Sequence, residues 1–394
     1  MKTLKDFKVK NKRVLVRCDF NVPLDEKGNI EDDFRIKQSI PTIEYLVKNR
    51  AKVILISHLG RLEKVKREGL EVKSYSLRPV ALRLEKLLGR RIEFLEDCIE
   101  ERIEKRTKEM KQGEILLLEN LRFYKGEKEN DSKFAKELAK LGDIYINNAF
   151  GVCHRAHASI AGLPKYLPSG GGFLLEKEVK VLSSVLENPW RPLVAIIGGV
   201  KLESKAKLLK ELLEKADHLL IGGKIANTVL IVKGIIVARP WPSEKVVEEI
   251  KKLNLTSTKL HLPLDAMASP DRTGKIYIRQ SAPAKVRKDE ELLDIGPETI
   301  KIFSEIIKEA KMIVWAGPLG YFEQPPFDKG SREIAEAIAR NHKAYKIVGG
   351  GDTLFALSKF GLRDKFDHIS TGGGAMLSFL SGEELPGLKA LEPR

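Results

Sequence analysis

RVLVRCDFNVP, residues 13–23, sets the pattern on which the rest of the chain is read. A short apolar, β-branched run closes abruptly on Asp19 and Asn21, as a buried strand does when its carboxyl end opens into a polar site. The pattern repeats. In the first half, strands are expected at Arg13–Asp19, Val53–Ser57, Arg91–Leu95, Glu114–Asn120 and Asp143–Phe150. In the second half they are expected at Leu193–Gly199, His218–Gly222, Leu260–Leu264, Met312–Trp315, Tyr345–Val348 and His368–Ser370. Helical stretches lie between them, for example Ser39–Lys48, Leu77–Leu88 and Ser132–Leu141. Such alternation predicts α/β architecture with two doubly wound, Rossmann-like parallel sheets. The two halves are joined through the Gly-rich segment Pro168–Gly172 and a helix over 173–188 that Pro189 ends. Gly170–Gly172 are read as a hinge.

Length and composition narrow the function. A chain of 394 residues is too long for one ordinary domain. No apolar run approaches a membrane span, and the charged start MKTLKDFKVK lacks the apolar region of a secretory signal. Three cysteines, none in a CxxC pair, make no disulfide framework. These features lead us to expect a reduced cytoplasmic protein without membrane partners. The formal net charge of +15 admits nucleic acid, small polyanionic ligands or simply a solvated Lys/Glu surface. Aromatics at 7% and not interleaved with basic runs disfavour nucleic acid. The chain has no GxxxxGK[ST] loop, no strand-linked GxGxxG and no HExxH or Cys/His cluster. A P-loop, a dinucleotide fold and a zinc site therefore have no support.

In doubly wound folds ligands bind beyond the carboxyl ends of the strands. In the first half those ends lead to Asp19, Asn21 and, after a loop, Arg35; to His58 and Arg61 in SHLGR; to Arg122 in ENLRF; and to His154, Arg155 and His157 in HRAH. Four arginines at matching positions predict a small ligand with phosphate and carboxylate oxygens. The second half ends its strands on glycines instead: IIGGVK, IGGK, WAGPLG, GGGDT and STGGG. Glycines let backbone N–H groups approach a phosphate, and a following helix adds its dipole. Asp352 and Thr353 stand where either helix capping or Mg²⁺ ligation suits them. An anion rim and a nucleotide rim on separate domains suggest phosphoryl transfer.

RVLVRCDFNVP, DDFRI, SHLGR, ENLRF, NNAFGVCHRAHAS, GGVKLESK, DIGPET, GPLGYFE, GGGDT and STGGGA, in this order, closely resemble the phosphoglycerate kinase family, from about residue 5 to residue 391. The resemblance implies a hinge-bending enzyme that transfers a phosphoryl group reversibly between 1,3-bisphosphoglycerate and ADP, with Mg²⁺ and ATP/ADP. It implies a monomer with small-molecule partners and neither nucleic acid nor membrane. Residues 1–172 plus 381–394 would form the 3-phosphoglycerate domain, 173–188 the interdomain helix and 189–380 the nucleotide domain. Asp19, Asn21, Arg35, His58, Arg61, Arg122 and Arg155 match the 3-phosphoglycerate site. Lys201 matches the lysine that stabilises the transferring phosphoryl, with Arg35 its catalytic partner, and Lys205 a nucleotide-phosphate contact. Gly222 and Gly223 match the adenine wall, Glu323 the ribose acid, Gly350, Gly351 and Thr353 the phosphate turn, and Asp352 the Mg²⁺ ligand. Four positions depart from the pattern: Leu62 for proline, Asn148 for aspartate, Lys224 for a small or apolar residue, and Ala316 for the asparagine that contacts nucleotide. Asn148 is expected to remove a negative charge near the rim. Two other readings are another nucleotide-dependent kinase of a small phosphorylated acid, and a weak homologue acting as a basic binding protein.

Overall fold

A computed structural model describes residues 1–60, 75–200, 205–235 and 242–393. The chain divides into two compact units, unit 1 comprising Met1–Lys180 with Glu384–Arg394 and unit 2 Val181–Glu383. The division falls inside the helix Phe173–Glu187.

Unit 1 is built on β1 (Arg13–Cys18), β2 (Lys52–Ile56), β3 (Glu93–Leu95), β4 (Ile115–Leu118), β5 (Ile144–Asn148) and β6 (Ser169–Gly171). They form one six-stranded sheet in the order β3-β4-β2-β1-β5-β6. Every pairing in it is parallel. Helices cover such a sheet on both faces, so its central strands read as unbroken apolar runs. VILI in β2 and ILLL in β4 are buried throughout. The order reverses direction at β1, which has β2 on one side and β5 on the other. That reversal makes the crevice where ligands bind in doubly wound sheets.

Unit 2 repeats the plan with β7 (Leu193–Ile197), β8 (His218–Ile221), β9 (Leu260–His261), β13 (Met312–Ala316), β14 (Tyr345–Gly349) and β15 (His368–Ile369). Their order is β15-β14-β13-β7-β8-β9, so the reversal lies between β7 and β13. A second sheet of β10 (Ala266–Ser269), β11 (Arg279–Ser281) and β12 (Glu291–Ile295) is antiparallel, in the order β11-β10-β12.

Three local readings need correction. Gly170 and Gly171, expected in a Gly-rich breaker, are part of β6, paired with β5 through Ile146↔Gly170 and Asn147↔Gly171. Glycine is required there for close approach. A Cβ on Gly170 would stand 2.6 Å from the Phe7 ring and 2.9 Å from the Lys2 carbonyl. Arg35 follows the loop 19–33, as expected, but already stands in a helix. The helix expected from Ser39 begins at Phe34 and runs to Lys48, through Pro41. Proline removes one N–H and crowds the preceding turn without ending this helix. Arg35 is thereby fixed on the first turn, with its carbonyl accepting from Ser39 Oγ at 3.3 Å. The antiparallel sheet was not expected, because its strands are short and β11 is polar.

Candidate active site

In unit 1 the polar rim assembles at the carboxyl ends of β1, β2, β4 and β5. Asp19 follows β1 and is almost wholly buried. Its Oδ1 accepts the Asn21 N–H at 3.3 Å, and its Oδ2 lies 3.9 Å from Arg35 Nε. Arg35 Nη1 donates to the Asn21 carbonyl at 2.5 Å, while Asn21 Oδ1 accepts the Gly60 N–H at 2.8 Å. Arg122 lies on a short 3₁₀ turn, Leu121–Phe123, begun by Asn120, whose Oδ1 accepts the Arg122 N–H at 3.0 Å. Its Nη1 donates to the Gly60 carbonyl. Arg155 Nε donates to His154 Nε2 at 3.2 Å. The structure thus brings Asp19, Asn21, Arg35, His58, Arg122 and Arg155 to one end of the sheet. Arg61 and Leu62 lie outside the described residues.

The electrostatics are those of crowded cations. Burial, with Arg17, Arg122 and Arg35 nearby, holds His58 well below its ordinary range. Burial, then Arg122, Arg17 and Arg155, pull His157 down to about 3. Burial, then Arg155 and Arg17, lower Arg122 to about 10. Among the described residues, five buried side-chain atoms lack a hydrogen-bond partner, and two of them, Arg122 Nε and His154 Nδ1, are on this rim. Buried polar groups in folded proteins are nearly always paired, so orphaned atoms here mark a surface suited to a ligand's oxygens.

Arg17, Glu127 and Ser159 belong to this region and were missed by the sequence reading. Arg17 sits inside β1 and is fully buried, as are Glu127 and Ser159. The available signal was an arginine near the carboxyl end of β1, four residues after Arg13 and separated from it by the apolar run VLV. Asn148 is the last residue of β5 and is buried. Its Oδ1 accepts the Leu174 N–H at 3.1 Å and the Thr42 hydroxyl at 2.9 Å, beneath Gly172, so it serves the first turn of the helix Phe173–Glu187. The price of the amide is an unpartnered buried Nδ2.

In unit 2 the site is made of backbone. At the β7/β13 reversal the Gly198 and Gly199 N–H groups donate to Ala316 O at 3.1 Å and Pro318 O at 2.8 Å. The segments after the two strands therefore touch directly. A Cβ on Gly198 would lie 2.1 Å from Pro318 O, and one on Gly317, at φ +100°, 2.2 Å from Gly198 O. Lys205 reaches into this junction, donating from Nζ to Gly198 O at 2.6 Å. Burial pulls it down to about 8, with the Asp352 charge opposing the shift. Lys205 is thus a cation largely withdrawn from water.

Gly222 precedes the helix Gly223–Val232 and packs on Leu319. Lys224 is half-buried on its first turn. The GGGDT stretch forms a strand-to-helix turn, with Gly350 at φ +103° before the helix Gly351–Phe360. Neither Asp352 nor Thr353 is its cap residue. Thr353 is buried and its Oγ1 accepts the Gly317 N–H at 2.7 Å, tying the phosphate turn to the β13 turn. Asp352 is exposed in the first helical turn, and Glu323 is exposed on the loop after Gly320. Lys201 lies outside the described residues. Among the described residues no group of three or more acidic, His or Cys side chains is placed to hold a metal. One free carboxylate beside helix N–H groups suits Mg²⁺ only as carried by phosphate, since that ion keeps its waters and takes one or two carboxylates.

A doubly wound α/β chain with an arginine-lined crevice in one unit and a glycine-lined, lysine-bearing crevice in the other is a two-unit kinase of small molecules. The sequence matches the phosphoglycerate kinase family over residues 4–383, and the chain belongs to that family. Phosphoglycerate kinase of Borrelia garinii subsp. bavariensis is 46% identical over 402 residues, covering 100% of this chain and 99% of that protein. That of Dictyoglomus turgidum is 45% identical, covering 99% and 98%. Among solved structures, phosphoglycerate kinase from Coxiella burnetii superposes with a TM-score of 0.85 at 39% identity, covering 99% of this chain and 98% of that one. The Pyrococcus horikoshii OT3 enzyme gives 0.83 at 32% identity with the same coverage.

Proposed function

We propose that the chain transfers a phosphoryl group reversibly between 1,3-bisphosphoglycerate and ADP, giving 3-phosphoglycerate and ATP. The observation that carries the assignment of sides is the contrast between the two strand-end sites. Forked guanidinium groups with orphaned N–H atoms suit a ligand with both carboxylate and phosphate. Close-packed glycines with a dry lysine suit a nucleotide's phosphate chain. Unit 1 accordingly takes 3-phosphoglycerate on Asp19, Asn21, Arg35, His58, Arg61, Arg122 and Arg155. Unit 2 takes the nucleotide on Lys201, Lys205, Gly222, Gly223, Glu323, Gly350, Gly351 and Thr353.

The chemistry asks for positioning and charge neutralisation rather than acid–base work. The acceptor carboxylate is already ionised near neutral pH, so no general base is required. Arg35 and Lys201 neutralise the equatorial oxygens as the phosphoryl passes in line. Asp352 would hold Mg²⁺, which when bound screens the charge between β- and γ-phosphates. Hinge closure belongs to this reading of the reaction and excludes water from an acyl phosphate. The protein acts as a cytoplasmic monomer.

A coupled assay with ATP, Mg²⁺ and a panel of small phosphorylated acids tests this reading. Turnover is expected with 3-phosphoglycerate foremost. Turnover confined to another acid would replace the substrate, and binding of nucleic acid without turnover would replace the function.

A further inference from the structure

We propose that Arg17 is a positioning residue that locks His58 in its Nε2–H tautomer, through a buried chain running Glu127–Ser159–Arg17–His58. The inference rests on reading unit 1 as the phosphoglycerate site, because only then does the proton on His58 face a substrate.

Each link has only one chemically permitted direction. Glu127 lies on the short helix Lys125–Lys128 and is fully buried. Its Oε2 accepts the Ser159 N–H at 2.9 Å and its Oε1 lies 2.6 Å from Ser159 Oγ. An ionised carboxylate only accepts, so the Ser159 hydroxyl donates to it. The lone pairs of that hydroxyl are then left to accept, and Arg17 Nε donates to Ser159 Oγ at 2.8 Å. Arg17 Nη1 donates to the Cys18 carbonyl. The remaining arm, Nη2, stands 3.1 Å from His58 Nδ1. Guanidinium has five donors and no acceptor, so His58 Nδ1 must accept. A neutral imidazole that accepts at Nδ1 carries its hydrogen at Nε2.

Among the described residues nothing hydrogen-bonds that Nε2. The nearest carboxylate to His58, Asp19 Oδ1, is 3.9 Å from the same Nδ1 and too far to claim a proton there. The site therefore offers its ligand a neutral, fixed N–H among arginines. Glu127 keeps the locking cation in balance from below. Two fully buried opposite charges bridged by one hydroxyl form a unit whose halves depend on each other.

The test uses the full-length protein with ¹⁵N-labelled histidine, the His58 signals being assigned by their loss in His58→Asn. In the free wild type at pH 7, His58 is expected as a pure Nε2–H tautomer. Arg17→Met leaves Glu127 unpaired and is expected to lower the melting temperature, so Arg17→Met/Glu127→Gln restores the balance. In the double variant the melting temperature should return to near wild type. His58 should exchange between tautomers, and the Kd for 3-phosphoglycerate should rise about tenfold. A purely structural role predicts that restored stability brings restored affinity. The proposal is overturned if wild-type His58 carries its proton on Nδ1 or on both nitrogens at pH 7, which needs no variant to fold. It is equally overturned if the stable double variant keeps the pure Nε2–H form and its affinity. A wild type with the expected tautomer but no 3-phosphoglycerate turnover would sink the functional reading and leave the lock standing.

Discussion

The two crevices occupy the same topological place, the reversal of strand order in a parallel sheet, yet they are made of opposite materials. In unit 1 long cationic side chains converge, and the cost is desolvation first and repulsion second: Arg122 and His157 are both pulled below their ordinary values by burial and by neighbouring arginines. In unit 2 the contact surface is main chain, and the requirement is steric: a single methyl group at Gly198 or Gly317 would fall inside a neighbouring carbonyl. A site of side chains tolerates exchange of atoms but reacts strongly to charge and pH. A site of backbone is indifferent to charge at most positions and intolerant of added volume.

The largest effect is expected at Lys201, the residue proposed to neutralise the transferring phosphoryl group. Lys201→Ala should lower kcat by roughly 10²-fold or more, with smaller changes in KM for either substrate. Steady-state kinetics check this, and a near-normal kcat would remove Lys201 from the chemistry.

pH separates the units next. His157 has a folded value of about 3 against an ordinary 6.5. Between these values the unfolded chain binds a proton that the folded one refuses, so stability falls as pH drops below 6.5, by at most about 1.4 kcal/mol per unit. Lys205 has the same sign at the other end. Its value of about 8 against 10.5 means that the folded state bears the penalty fully below pH 8 and loses it as pH rises towards 10.5. Nucleotide phosphate should restore the proton to Lys205. Titration of ADP at pH 8.5 in buffers of different ionisation enthalpy should then show proton uptake, abolished in Lys205→Met. His157→Asn should flatten the acid limb of a melting-temperature profile and leave the ADP proton uptake unchanged.

How much of this was legible differs between the units for physical reasons. The strands were visible because a sheet buried on both faces demands apolar runs, and the ends of β1, β2, β5, β7 and β8 fall within a residue or two of the expected ones. The arginine rim was visible because a charge directly after such a run is conspicuous. Arg17 was not, because an arginine within a strand reads as an outward-facing side chain. Nor was its link to Ser159 and Glu127, which only the fold brings together across 142 and 32 residues. The glycines of unit 2 were visible as a class, but nothing in IIGG or AGPLG says that Gly198 rests on Pro318. β6 was lost because Gly170 and Gly171 carry no β-propensity and are selected by the proximity of Phe7 and Lys2.

The smallest effect should come from Ala316. Its carbonyl accepts from Gly198 N–H and stands 3.5 Å from Lys205 Nζ, contacts that any residue supplies through its main chain. Ala316→Asn should tighten ADP by a few-fold, within the tenfold that one hydrogen bond of about 0.5–1.5 kcal/mol allows, and leave 3-phosphoglycerate affinity unchanged. Calorimetric titration of both ligands checks it. A change confined to 3-phosphoglycerate would place residue 316 outside the nucleotide site.

The division of ligands between the two crevices is tested most directly by crossed isothermal titration of Arg122→Met and Gly198→Ala against 3-phosphoglycerate and ADP–Mg²⁺. Arg122→Met should weaken 3-phosphoglycerate by about 10- to 100-fold, as expected for lost hydrogen bonds to a charged ligand, and leave ADP within twofold. Gly198→Ala should do the reverse, weakening ADP by about tenfold or more through displaced backbone. Each variant weakening both ligands alike, or each weakening the other's ligand, would contradict the assignment of a side-chain site to phosphoglycerate and a backbone site to nucleotide.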